Sequence, residues 1–179
     1  MNLSHPSKLC SLEKLIHGLS IPATKNLSYY DQLIQSLDIP IDSIDPYCTW
    51  NERSYTRNLV HSTDLYELLI LCWQKGQTSP IHDHQEQDCW IYVVEGTIEE
   101  TLYQPTLHDD QRFSLGETDR IIYHKGDKSR LMNSMLAWHS IKPLSQQAIT
   151  LHLYSLPIKK CHLYNLQTGQ LSERKLNYS

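Results

Sequence analysis

The sequence predicts a mainly β protein, a sandwich or barrel of short strands with N-terminal α-helices packed on it. Three observations carry this. From Tyr55 onward, short apolar or alternating segments recur with turn residues between them, the pattern of antiparallel all-β folds. Before Tyr55, apolar residues fall instead at helical spacing. No repeat, low-complexity tract or linker divides the 179 residues. The simplest reading is one domain over 1–179, with residues 1–54 as the helical layer and 55–179 as the barrel.

Leu12, Leu15, Ile16 and Leu19 share one helix face, and Gly18 and Pro22 close that segment. Ser28, followed three residues later by Asp31, resembles a capping box opening a second helix, with Tyr30, Leu33, Ile34 and Leu37 as its apolar stripe. Pro40 and Pro46 mark a break, with a short third turn expected around Tyr47 to Glu52. Tyr66 to Trp73 is nearly all apolar, so both faces of that strand should be covered. Further strands are expected at Trp90–Val94, Ile98–Tyr103, Arg112–Leu115, Ile121–His124, Ala137–Ile141, Ile149–Ser155 and His162–Leu166. Thr168-Gly169 turns the chain into a last strand around Leu171 to Leu176.

Composition removes several classes of function. A net charge of -4 offers no basic surface, so nucleic acid is not an expected partner. The opening residues lack the apolar run of a signal peptide, and no stretch approaches the ~20 apolar residues of a membrane span. Five irregularly spaced cysteines with no C-x-x-C argue for a reducing cytosol and against a disulfide scaffold. A cytoplasmic monomer is the expectation.

Chemistry concentrates in Gly76-Gln-Thr-Ser-Pro-Ile-His82-Asp-His84, which leads through polar residues to Cys89 and a glycine stop at Gly96. On a strand, side chains at i and i+2 share a face, so His82 and His84 could touch one metal ion near the tip of a hairpin. Two ligands alone would hold a metal weakly, and a distant strand of a barrel could provide a third. His139, after Trp138, is a candidate whose own surroundings say little. In Thr150-Leu-His152-Leu-Tyr154, alternation puts three polar side chains on one face. They line either a polar lumen or a solvent-facing stripe, with Leu151 and Leu153 under the helices. Glu99-Glu100, Asp109-Asp110 and Lys159-Lys160 read as solvated charges, Cys161 as near the surface, and Trp73 as core.

Gly-x5-His-x-His-x4-Cys-x6-Gly resembles the first cupin motif, with Cys89 where most cupins carry a metal-binding glutamate. With Tyr55-Thr-Arg57-Asn-Leu-Val, Leu71-Cys-Trp73, Ser79-x-Ile-His82-Asp-His84 and Leu151-His152-Leu-Tyr154-Ser, the chain resembles the cysteine dioxygenase family from about Tyr55 to His162. The second cupin motif is degenerate, with no Pro-x-Gly and with Pro143 near the usual asparagine.

The resemblance implies a cupin-type jelly roll and a set of roles. His82, His84 and His139 would be the Fe(II) ligands, and Arg57, with Tyr55 beside it, would clamp the substrate carboxylate. Tyr154 would be the active-site tyrosine, joined to Cys89 by a thioether as a protein-derived cofactor. His152 would bond Tyr154 or the substrate, and Thr150 keeps the hydroxyl of the family's usual serine. The implied reaction adds both atoms of O2 to the thiol of L-cysteine, giving cysteine sulfinic acid. Three neutral imidazoles leave the ion its full charge, which favours an anionic thiolate, and arginine's planar fork suits a carboxylate. Two rivals stay open: a dioxygenase of 3-mercaptopropionate or another small thiol, and a non-oxidative cupin, either a zinc-loaded isomerase or a metal-sensing binding module.

Overall fold

A computed structural model of the chain describes residues 8–22, 26–85, 87–108, 113–132 and 137–179. Helices α1 (Leu12–Leu19) and α2 (Leu27–Gln35) come first, then two short 3-10 turns, Ile41–Ser43 and Asp45–Tyr47. The expected apolar stripes become the packed faces: Leu12, Leu15 and Leu19 of α1 and Tyr30 and Ile34 of α2 are buried. Ser11 caps α1, its hydroxyl accepting from the Lys14 N–H. Asn26, not Ser28, caps α2 by accepting from the Tyr29 N–H. The expected box with Asp31 does not form, and the Asp31 carboxylate reaches out to accept from the Trp90 indole and the Arg130 guanidinium. The turn expected at Tyr47 to Glu52 lies earlier, because the fixed φ of Pro40 and Pro46 starts the two 3-10 turns.

The strands are β1 (Thr56–Ser62), β2 (Glu67–Gln74), β3 (Ile81–His82), β4 (Cys89–Glu95), β5 (Thr97–Leu107), β6 (Phe113–His124), β7 (Lys128–Leu131), β8 (Trp138–Pro143), β9 (Gln147–Tyr154), β10 (Lys160–Asn165) and β11 (Gln170–Lys175). They form a five-stranded sheet, β1-β2-β9-β4-β7, and a six-stranded sheet, β11-β10-β3-β8-β5-β6. Every pairing is antiparallel. Among the described residues no ladder joins the sheets, so the mainly β jelly roll is a sandwich with open seams rather than a closed barrel.

Three layers result. Leu68, Ile70 and Cys72 of β2, with Leu151 and Leu153 of β9, pack under the helices. Leu69, Leu71 and Trp73 face the other way and meet Ile98 of β5 and Ile141 of β8 between the sheets. The continuous apolar run of β2 is therefore covered on both faces, as its sequence demanded. Gly96, between β4 and β5, has φ +81°, and a Cβ there would collide with the Gln147 carbonyl oxygen and the Ser145 hydroxyl. Only glycine makes that crossing between sheets without strain.

The strand readings need three corrections. The expected strands Arg112–Leu115 and Ile121–His124 are one strand from Phe113, most of it exposed, so alternation gave no signal in its middle (Arg112 lies outside the described residues). β7 has half-buried residues only and carries no apolar pattern. The metal motif is not a hairpin: β3 pairs with β8 and β10, whereas β4 pairs with β7 and β9 of the other sheet. The polar segment after His82 carries the chain from one sheet to the other.

Candidate metal centre

His82 lies on β3 directly opposite His139 of β8. His84 lies beyond the end of β3, so the shared strand face expected for the pair does not exist. The three rings converge nonetheless. Ring centroids are 4.6 Å apart for His82 and His139, 5.1 Å for His82 and His84, and 4.7 Å for His84 and His139. One nitrogen from each can be chosen so that all lie within 4.8 Å of one another.

Two of the rings are aimed by their outer nitrogens. His82 Nδ1 is 3.0 Å from the Pro80 carbonyl oxygen, which can only accept, so this nitrogen carries the proton. His139 Nδ1 is 2.6 Å from Glu100 Oε1. A hydrogen bond there fixes the tautomer and turns the lone pair of His139 Nε2 inward, the arrangement typical of metal-bound imidazoles. His84 Nε2 is 3.1 Å from His139 Nε2, while His84 Nδ1 is buried without a hydrogen-bond partner. Desolvation first, and then the neighbouring His139, hold His82 down to about 3 and His84 well below the usual imidazole range. Both are neutral at pH 7, the form that ligates. Facing neutral nitrogens with an orphaned ring nitrogen fit a metal cofactor.

Glu100 corrects the sequence reading. Only 1% exposed, it is no surface charge but the carboxylate behind His139. Its position two residues from the buried Ile98 on β5 was the available signal, because alternation puts both on one face. Glu99 is also largely covered and pairs with Arg120 and Lys142. Asp109-Asp110 lies outside the described residues, and Lys160 pairs with Glu173 at the surface.

The five-stranded sheet supplies the facing wall. Cys89 on β4 stands directly across from Tyr154 on β9, and the Tyr154 ring is 5.3 Å from that of His84. Thr150, His152 and Tyr154 are all buried, so the polar face lines the interior and not solvent. A chain of contacts satisfies it. The Trp73 indole donates to Thr150 Oγ1 at 2.9 Å, Thr150 Oγ1 is 2.9 Å from His152 Nε2, and His152 Nδ1 is 3.8 Å from Cys89 Sγ. Burial drives the Tyr154 phenol and the Cys89 thiol well above their usual ranges and His152 well below its own. Tyr154 is therefore a protonated donor at neutral pH.

Arg57, on β1, extends towards Tyr154, with its guanidinium carbon 6.0 Å from that ring's centroid. Burial opposes its charge, but the phenols of Tyr154 and Tyr55 and the carboxylate of Glu67 outweigh this. Its Nε and Nη2 are buried without hydrogen-bond partners. Tyr55 stacks on Trp73 at 4.3 Å. Tyr55, Arg57, His82 and Cys161 line one cavity of about 200 Å³. That is below the roughly 300–1,000 Å³ of sites for drug-sized ligands and suits something the size of an amino acid. Cys161 was expected near the surface, yet it is 1% exposed, and burial raises its thiol to about 11.

Comparison with known proteins agrees with this geometry. The family model for cysteine dioxygenase type I matches residues 2–167. The chain is 25% identical to cysteine dioxygenase type 1 of Homo sapiens over 177 residues, 97% of this chain and 86% of the human protein. It is 27% identical to that of Bos taurus over 168 residues, 92% of this chain and 82% of the bovine protein. The fold is similar to a double-stranded β-helix protein from Klebsiella pneumoniae, with a TM-score of 0.52 and 16% identity over 64% of this chain and 82% of that one.

Proposed function

From the membership of this chain in the cysteine dioxygenase type I family, matched over residues 2–167, we propose an Fe(II)-dependent oxidation of the thiol of L-cysteine by O2 to cysteine sulfinic acid. The observation that carries it is a three-histidine cluster whose His82 shares one small cavity with Arg57, a guanidinium whose buried Nε and Nη2 lack hydrogen-bond partners. A metal cluster alone would suit many cupin functions; an arginine beside it, with donors its Glu67 neighbour does not hydrogen-bond, suits a carboxylate-bearing ligand.

His82, His84 and His139 hold the metal in this reading. Bound Fe(II) supplies a redox-active, Lewis-acidic centre for a thiolate and dioxygen; three-nitrogen sites also suit zinc or copper, so the ion is part of the proposal. Arg57 receives the carboxylate through its planar fork, with Tyr55 packed beside it. Tyr154, protonated at neutral pH, donates a hydrogen bond towards the reacting atoms. His152, tethered through Thr150 to Trp73, supports that wall and stays uncharged. The net change is balanced, because both oxygen atoms of O2 end on the substrate sulfur, which loses the electrons that reduce them. In the same reading the protein acts as a single cupin domain, with no nucleic-acid or membrane partner, as a cytoplasmic monomer.

A thioether between Cys89 and Tyr154 belongs to the same proposal. Directly paired residues on antiparallel strands have Cβ atoms ~4.5–5.5 Å apart, and these two are such a pair. Forming the link removes one hydrogen from the thiol and one from the ring, with O2 as the oxidant. Intact mass after turnover should fall by those hydrogens, and Tyr154→Phe should not show the loss. Cys89→Ala should slow the enzyme without abolishing it.

The deciding test is sulfinate formation and oxygen uptake by iron-loaded protein given L-cysteine, with 3-mercaptopropionate as the rival thiol and His139→Ala as the control. No uptake with iron confirmed bound would favour a non-oxidative cupin. Faster oxidation of 3-mercaptopropionate would reassign the substrate.

A further inference from the structure

Two consecutive residues far away in sequence bear on Arg57, Ser179 by bonding its backbone and Tyr178 by bonding its carboxylate neighbour Glu67. The Ser179 N–H donates to the Arg57 carbonyl oxygen at 2.9 Å, and the Arg57 N–H donates to Ser179 Oγ at 3.0 Å. Next to it, the Tyr178 hydroxyl donates to Glu67 Oε1. The other oxygen of that carboxylate, Glu67 Oε2, is 3.8 Å from Arg57 Nη2 and has no hydrogen bond of its own. The Glu67 side chain is only 1% exposed. After β11, Leu176 is tied to the Lys159 carbonyl, and Leu176, Asn177 and Ser179 then line the cavity that Arg57 and His82 share.

A buried carboxylate beside the arginine poses a physical problem. Glu67 gives the guanidinium a nearby carboxylate, but it is also a rival for any carboxylate the cavity admits. An unrelieved buried pair would bind tightly to itself. Tyr178 relieves it, since its hydrogen bond takes up one Glu67 oxygen and draws charge away from the arginine.

We propose that Tyr178 and Glu67 are a positioning pair that tunes Arg57 for carboxylate-bearing substrates, with Tyr178 restraining Glu67 from competing with the ligand. The proposal rests on Arg57 being the carboxylate clamp of the preceding section. Neither residue touches substrate in this reading.

The test is anaerobic calorimetry of iron-loaded protein with two thiols: L-cysteine, and cysteamine, which has the thiol and amine but no carboxylate. Tyr178→Phe should weaken L-cysteine binding by about tenfold, the scale of losing a hydrogen bond to a charged group. Cysteamine affinity should hold. In a Glu67→Gln background the same Tyr178→Phe change should have no further effect on L-cysteine, because the competing charge is gone. An unaltered L-cysteine affinity, equal losses for both thiols, or the full loss persisting in Glu67→Gln would each overturn the idea. Equal losses with a lowered melting temperature would make Tyr178 merely structural. Wild-type protein that binds L-cysteine and fails to oxidise it would instead sink the functional reading.

Discussion

At the scale of single residues, the centre depends on second partners that composition hides. Glu100 and Glu99 are adjacent, identical side chains, and only the strand's two faces separate them. Glu100 turns inward to His139, whereas Glu99 turns to Arg120 and Lys142. Removing the carboxylate with Glu100→Ala should weaken metal binding by roughly 10–100-fold, measured by chelator competition, because His139 would lose the group that fixes its tautomer. An unchanged affinity would show that the ring is held by packing alone. The histidines also set a pH dependence for the metal-free protein. His82 titrates near 3 when folded, against about 6.5 unfolded. The unfolded chain thus binds more protons in that window, and stability from this group, complete above about 6.5, is lost as pH falls towards 3. Urea unfolding at pH 7 and pH 4.5 should show the lower midpoint at pH 4.5, with a smaller difference in His82→Gln.

At the scale of elements, the helical layer and β2 were legible because burial leaves a period. Helix stripes recur every three or four residues, and a doubly covered strand is apolar throughout. β6 and β7 were not, since an exposed or edge strand has no face that must be apolar. The crossing at Gly96 was visible only as a glycine, and its cause is tertiary: β9 backbone and the Ser145 hydroxyl press where a Cβ would stand. Gly96→Ala should destabilise the fold by more than ~1 kcal/mol, combining a strained positive φ with a clash. Chemical denaturation checks this, and a neutral substitution would mean that the β4–β5 connection can move.

At the scale of the whole molecule, the site is a seam between sheets. His82, His139 and Glu100 come from the six-stranded sheet, while Arg57, Cys89, His152 and Tyr154 come from the five-stranded one. A metal held by His82, His84 and His139 would fasten the six-stranded sheet to the segment that crosses between the sheets, and a substrate held by Arg57 would bridge to the other sheet. Metal at a hundred times its dissociation constant should add about 2.7 kcal/mol of stability by mass action. Thermal unfolding with and without Fe(II) under anaerobic conditions measures it, and the gain should largely vanish in His139→Ala. A metal-insensitive melting temperature in the wild type would show that the three histidines hold no ion in solution.

What the sequence determined by itself was the inventory. A helical start, a β remainder, two close histidines, and an alternating polar face on β9 can be read locally, because helix and strand periods are set by neighbours along the chain. The resemblance in motif spacing added Arg57, His139 and Cys89, which no local pattern singled out. Tertiary structure alone decided that His84 leaves the strand yet rejoins His82, that the motif spans two sheets, and that Glu67, Glu100 and Cys161 are buried. The physical reason is that a side chain's exposure and charge partners are properties of the surfaces that close over it, and those surfaces come from strands tens of residues away.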